Sequence, residues 1–351
     1  MAQVKRSTFG ERPLAKRGRD TVTPQLGGWT IRAVGAEKRR ATFRRLGNTV
    51  SILLVSLVLT GCGAASGPEQ TANPAPKSQT PKSTTLKGAY LGQRLPGPVP
   101  EFFASGVIKG DLHTPPVFTP DGSEVYWSLQ DDTILTSALE NGSWSQPAKV
   151  AFSASMTDYR DPFITPSGDR LLFLSKGKLP GSQLPEKENI WFVQRSGQGW
   201  GEPQPLSDNV NALTLHWQIS VAANGNLYFS SSKPDGIGDI YVSKTSDGEY
   251  GKPVKLAAPV NTKQVELTPY VAPDESYLLF ARMADQNSNP MLYISFADEN
   301  GGWGEPLLVE TVTYGLCPSV SPDGKYVFYL SSPTSVSWMT TAFIEELRSG
   351  K

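Results

Sequence analysis

The sequence predicts an all-β protein, a β-propeller of four-stranded antiparallel blades. Three observations predict it. A turn phrase recurs five times at intervals of about fifty residues, a Gly-Trp-Gly-x-Pro-like phrase follows most copies, and helical patterning is nearly absent before Phe343–Leu347. Repeats of that period, each too small to bury its own apolar faces, indicate radially stacked blades.

The first copy of the turn phrase is Pro116-Val-Phe-Thr-Pro-Asp-Gly122, followed by Glu-Val-Tyr-Trp-Ser128. It returns as Pro162-Phe-Ile-Thr-Pro-Ser-Gly168, as the degenerate Ile219-Ser-Val-Ala-Ala-Asn-Gly225, as Pro269-Tyr-Val-Ala-Pro-Asp-Glu275 and as Pro318-Ser-Val-Ser-Pro-Asp-Gly324. Pro presets φ and Gly accepts a positive φ, so each phrase reads as a short strand running into a tight turn. The apolar runs Leu171–Ser175 and Tyr326–Leu330 read as second strands buried on both faces. Third strands follow at Ile190–Val193, Asp239–Val242 and Leu292–Ser295. The second phrase stands at Asn141–Pro147, Gly199–Pro203, Asp247–Pro253 and Gly302–Pro306. Its aromatic residue (Trp144, Trp200, Tyr250, Trp303) is expected to pack between neighbouring blades. Residues 176–188 are an insertion in the second blade.

Five turn phrases predict five blades. The last copy has three strands, and Pro98–Val107 ahead of the first copy reads as an orphan fourth strand. That strand is expected to close the ring against the last blade and remove its free edge. Six blades remain an alternative if residues 88–112 and the tail build one more.

The first sixty residues do not read as a domain. A basic stretch ending in Lys38-Arg39-Arg40 and Arg44-Arg45 precedes an apolar run from Val50 to Leu59. That run is too short for a bilayer span of roughly 20 residues and has the layout of a secretory signal. The basic stretch is longer than such signals carry, so either the leader is extended or translation starts downstream, for example at Val34. Residues 1–61 hold twelve of the 33 Lys and Arg and three of the 33 Asp and Glu, leaving 21 against 30 and a net charge near −9 beyond them. A surface of that sign disfavours nucleic acid and anionic headgroups as partners. Residues 62–87, dense in Pro, Ser, Thr and Gln, are expected to form a disordered tether. Residues 88–351 then form the propeller domain.

Two resemblances add to this reading. Leu59-Thr60-Gly61-Cys62 resembles the lipobox of bacterial lipoproteins. It implies a diacylglyceryl group and palmitate on Cys62, removal of residues 1–61, and a lipid anchor as the membrane partner. Gly63 is not the Asp that retains lipoproteins at an inner membrane, so the outer membrane is expected if the host has two. Cys317 then has no disulfide partner. Val117-Phe-Thr-Pro-Asp-Gly122, Asp239-Ile-Tyr-Val242 and the Gly-Trp-Gly-Glu-Pro phrases resemble the WD40-like (PD40-type) repeats of the TolB family. The likeness covers roughly 88–347, and Tyr90-Leu-Gly-Gln93 with Pro98-x-Pro-Glu-Phe102 is similar to the start of its exported members. It implies a cell-envelope protein, monomeric, working by contact with a protein, peptide or glycan.

The sequence has no Gly-x-Ser-x-Gly, His-Glu-x-x-His, Cys-x-x-Cys or Gly-x-Gly-x-x-Gly, which excludes the usual hydrolase, zincin and dinucleotide signatures. One constellation stands out. Eight residues before the turn Asp, the repeats carry His113, Tyr159, His216, Glu266 and Gly315, and both histidines of the chain share this column. The next positions add Arg160, Asp161, Trp217, Gln218, Thr268 and Cys317. Innermost strands begin here, so the column lines one mouth of the channel. Three roles fit such a ring. It can bind a ligand, tie the blades together, or hold a divalent metal through His113, His216 and Glu266. No cofactor is expected. A binding module is the leading function, and a carbohydrate-active lyase or hydrolase using the ring is the alternative.

Overall fold

The computed structural model describes residues 86–350, apart from 153–155, 157, 182–186, 198, 214–216 and 233–237. The leader, Cys62 and all of the tether but its last two residues lie outside them, as does His216.

Five antiparallel sheets form the ring. Blade 1 runs outward from Val117–Phe118 through Glu124–Leu129 and Thr133–Glu140 to Ala148–Lys149. Blade 2 uses Arg160–Ile164, Arg170–Ser175, Asn189–Ser196 and Gln204–Pro205. Blade 3 uses Trp217–Val221, Leu227–Ser232, Gly238–Ser243 and Val254–Lys255, and blade 4 uses Val265–Val271, Tyr277–Met283, Met291–Phe296 and Leu307–Leu308. Blade 5 takes Leu316–Val320, Tyr326–Ser332 and Ser335–Thr340 from its own repeat. Its outer strand is Glu101–Phe102, which pairs Glu101 with Trp338 and Phe102 with Ser337. The N-terminal segment therefore closes the ring, and the blade count is five. A helix at Ala342–Arg348 ends the fold.

Second strands are buried on both faces because side chains alternate across a strand and each blade has a neighbour on either side. Tyr228 faces Leu278 and Phe280 of blade 4, whereas Leu227 and Phe229 face Leu172 and Leu174 of blade 2. The core is thus a set of inter-blade layers. The layer at the closure is the most aromatic, with Phe103 and Phe328 in ring contact with each other and each with Phe118 and Trp338. Aromatics of the second phrase reach back to the preceding blade. Trp200 Nε1–H donates to Tyr126 Oη at 2.8 Å, and the Trp303 ring meets Tyr228 edge-on at 6.2 Å.

The inner strands share a kink. Asp161, Gln218, Thr268 and Cys317 all have φ between 43° and 54°, and each sits at a break in register with the second strand. L-residues disfavour this left-handed region, Thr most among these four. A bond to the preceding blade offsets the cost each time. Asp161 N–H donates to Ser128 Oγ, Gln218 N–H to Asp161 Oδ2, Thr268 N–H to Ser230 Oγ, and Cys317 N–H to Thr268 Oγ1, at 3.0–3.3 Å. Blade 1 has Pro115 in this column, which has neither the φ range nor the N–H. There the tie runs the other way, with Ser319 Oγ–H donating to Pro116 O at 2.9 Å and Cys317 Sγ–H to His113 O at 3.6 Å.

Candidate functional site

The two ends of the ring differ. One carries the Pro-Asp-Gly turns. The other, the mouth face, carries the starts of the inner strands, the hairpins between second and third strands, and the linkers between blades. The described chain begins at the turn face, where Lys87 bridges to Ser143 and Gly88 O accepts Trp144 Nε1–H at 2.7 Å. Tyr90 Oη–H donates there to Asp323 of the fifth turn at 3.0 Å.

On the mouth face, between blades 1 and 2, the sequence-nominated residues divide. His113, Arg160 and Asp161 come together. His113 Nδ1 lies 2.5 Å from Asp161 Oδ1, and the other carboxylate oxygen accepts Gln218 N–H. Arg160 bridges the Asp132 carboxylate and Glu188 Oε1, the latter at 3.2 Å, while Lys176 Nζ reaches Asp132 Oδ2 at 3.1 Å. Gln218 spans the axis, donating from Nε2 to Pro318 O at 2.7 Å.

The other nominated residues do not join. Tyr159 is buried against Phe152 and Phe173 and donates to Met156 O. Trp217 is half-buried and packs on the cluster of Val265, Leu267, Ala281 and Met283. Glu266 is fully buried in blade 4, where it pairs with Arg282 Nε at 3.2 Å and accepts from the Thr262 amide and hydroxyl. His216 lies outside the described residues. Among those described, no group of three or more His, Cys, Asp or Glu is arranged to hold a metal ion.

Asp132, Lys176 and Glu188 were not legible as site residues. They come from the hairpins of blades 1 and 2, Lys176 and Glu188 from the two ends of the insertion. Loops on one face converge only once the strand order is known. A usable signal was present in the Ser that stands late in several second strands. Ser128 and Ser230 are the acceptors that hold the kinks of the following blades.

The electrostatics follow from burial and pairing. Burial would lower the pKa of His113, but the Asp161 carboxylate outweighs it and raises the imidazole above its ordinary 6.5. Burial would raise Asp161, but His113 and the Gln218 amide hold it below 3.8. Glu188 is pushed up to about 7 by burial, with Arg160 opposing. Lys187, whose Nζ meets Leu213 O, is lowered to about 8 by burial. The axis itself holds a cavity of about 20 Å³ lined by Asp161, Gln218, Tyr270 and Cys317. That is room for about one water molecule.

No protein-family model and no curated protein sequence matches the chain. Solved structures similar to it include a putative TolB from Agrobacterium tumefaciens, at 16% identity over 65% of this chain and 76% of that one, with a TM-score of 0.48. TolB from Acinetobacter baumannii is similar at 16% identity over 64% and 53%, with a TM-score of 0.41. A gluconolactonase from Xanthomonas campestris is similar at 12% identity over 72% and 99%, also at 0.41. All three TM-scores fall below 0.5, so these likenesses carry no function across to this chain.

Proposed function

We propose that the protein is an exported, lipid-anchored propeller that serves as a binding module in the cell envelope, taking a protein, peptide or glycan on its mouth face. Export and anchoring rest on the basic stretch, the short apolar run and Leu59-Thr60-Gly61-Cys62. The observation that carries the reading is the opposition of the two faces. Lys87, the last residue of the tether, sits on the turn face, and the His113–Asp161–Arg160–Glu188 cluster opens on the other. A lipid attached through the turn face leaves the mouth face clear of the membrane. Within the cluster the ion pairs are made to one another, which suits a shaped surface better than a reactive one.

The test uses the full-length chain in its host. Wild-type protein is expected in the membrane fraction and should capture the same envelope component after detergent release. The Cys62→Ser variant should move to the soluble fraction and still capture that component. A variant that stays with the membrane sinks the anchor, and wild-type protein that captures nothing sinks the binding module.

A second reading, a carbohydrate-active lyase or hydrolase at the same mouth, has one observation in its favour. Glu188 is raised toward neutrality while Asp161 beside it is kept ionised, and an acid and a base pushed apart in this way divide the work in glycosidases. Turnover of a polysaccharide that is lost in Glu188→Gln supports it. A polysaccharide panel left intact removes it.

A further inference from the structure

A second opening on the mouth face lies away from the ionic cluster. It is a groove of about 280 Å³ where the closing strand meets the second hairpin of blade 5 and the linker from blade 4. That volume lies just below the roughly 300–1,000 Å³ of small-molecule sites, so it fits a ring or two and not a folded partner.

The lining has a consistent chemistry. Six of its ten residues are Ser or Thr, and none is Lys, Arg, His, Asp or Glu. The Phe102 ring, 71% exposed, and the half-buried Tyr314 are its exposed aromatic lining. Some of the hydroxyls are already engaged. Ser337 Oγ–H donates to Ser331 Oγ at 2.8 Å, and Thr311 leans on the Met339 sulfur. Those of Thr313, Tyr314 and Ser335 make no hydrogen bond to the described chain. An exposed aromatic face beside uncommitted hydroxyls is complementary to a sugar, whose C–H face is apolar and whose rim both donates and accepts. A charged ligand would find no counter-charge in the lining. A proline-rich peptide would offer its carbonyls as acceptors but no N–H at its prolines, so it would pair the hydroxyls as donors only, whereas a sugar rim pairs them both ways.

We propose that this groove binds an uncharged saccharide, held against Phe102 and Tyr314 and hydrogen-bonded by Thr313, Tyr314 and Ser335. This names a ligand class within the binding-module reading, on which it rests.

The test is calorimetric titration of the folded mature chain with uncharged gluco-, manno-, xylo- and N-acetylglucosamine oligomers, beside uronate oligomers and a peptide of residues 63–87. Binding of an uncharged oligomer is expected, weakened about tenfold by Tyr314→Ala and several-fold by the near-isosteric Thr313→Val. Both variants should keep the wild-type melting temperature within a few degrees, because the two side chains are partly exposed. Binding that both variants retain overturns the proposal, as does preference for uronates or for the peptide, or no binding at millimolar sugar. Envelope capture that survives in Tyr314→Ala, with no sugar binding in the wild type, removes the groove and leaves the binding module standing.

Discussion

At the residue scale, the mouth is governed by three titrating groups, of which His113 and Glu188 favour the acid side of neutrality and Asp161 sets the acid limit. The folded state raises the His113 pKa above 6.5, so its contribution is fully present below that pH and is lost as pH rises through the folded value. Glu188 goes from an ordinary 4.5 to about 7, so the folded state holds this proton more tightly and stability falls as pH rises from 4.5 to 7. Asp161 is lowered, so its contribution is present above 3.8 and is lost as pH falls through its folded value. Together these place maximum stability at about pH 4 to 5, with a decline as pH rises through 7. The Glu188 share of that decline is on the order of 3 kcal/mol. Thermal melts from pH 4 to 8 should therefore flatten between 4.5 and 7 in Glu188→Gln, leaving the His113 part of the slope. A variant with the wild-type slope contradicts this account of Glu188.

At the element scale, the linkers that follow blades 2 and 3 are each pinned by a buried side chain. Asn261 accepts Ile240 N–H and donates to Ile240 O and Leu256 O, all at 2.8 Å. Asn211 makes the same three bonds to Ile190 and Leu206 one blade earlier. Removing the amide strands Ile240 N–H and Leu256 O, whereas Ile240 O keeps the Leu256 N–H, so Asn261→Ala should cost about 2 kcal/mol or more. Asn209→Ala, two residues before Asn211 and exposed, should cost under about 0.5 kcal/mol. Urea unfolding measures both, and equal losses would dismiss the pin. The blades themselves were legible in the sequence because turn chemistry and two-sided apolar runs are local. The third strands at Ile190–Val193 and Asp239–Val242 fall inside Asn189–Ser196 and Gly238–Ser243. The repeat of the Asn was equally visible, since Leu206 and Leu256 each precede it by five residues. Its meaning was not, because a bond from linker to third strand needs the register. The candidate site divided for the same reason. His113 and Glu266 share a sequence column, yet the neighbouring blade gives one an Asp161 and the other's own blade gives it an Arg282.

At the scale of the whole molecule, a ring is only as stable as its closure, because opening one seam exposes two apolar blade faces together. Here the seam is made by a segment remote in sequence, and two adjacent residues on it have opposite fates. Phe103 is 1% exposed, with ring centroids 4.9 Å from Phe328 and 4.8 Å from Trp338. Phe102, one position earlier, points to solvent beside the groove. Truncating a buried aromatic costs about 3–5 kcal/mol, and at this position the loss falls on the contact that joins the last blade to the first. Phe103→Ala should therefore lower the midpoint of the single unfolding transition of the entire propeller. Phe102→Ala should leave it within about 0.5 kcal/mol of wild type. The closure is thereby separated from a local patch. If Phe103 served its own blade alone, its loss would produce an early partial transition in tryptophan fluorescence, from Trp338, while blades 2 and 3, which do not adjoin blade 5, kept the wild-type midpoint in circular dichroism and limited proteolysis.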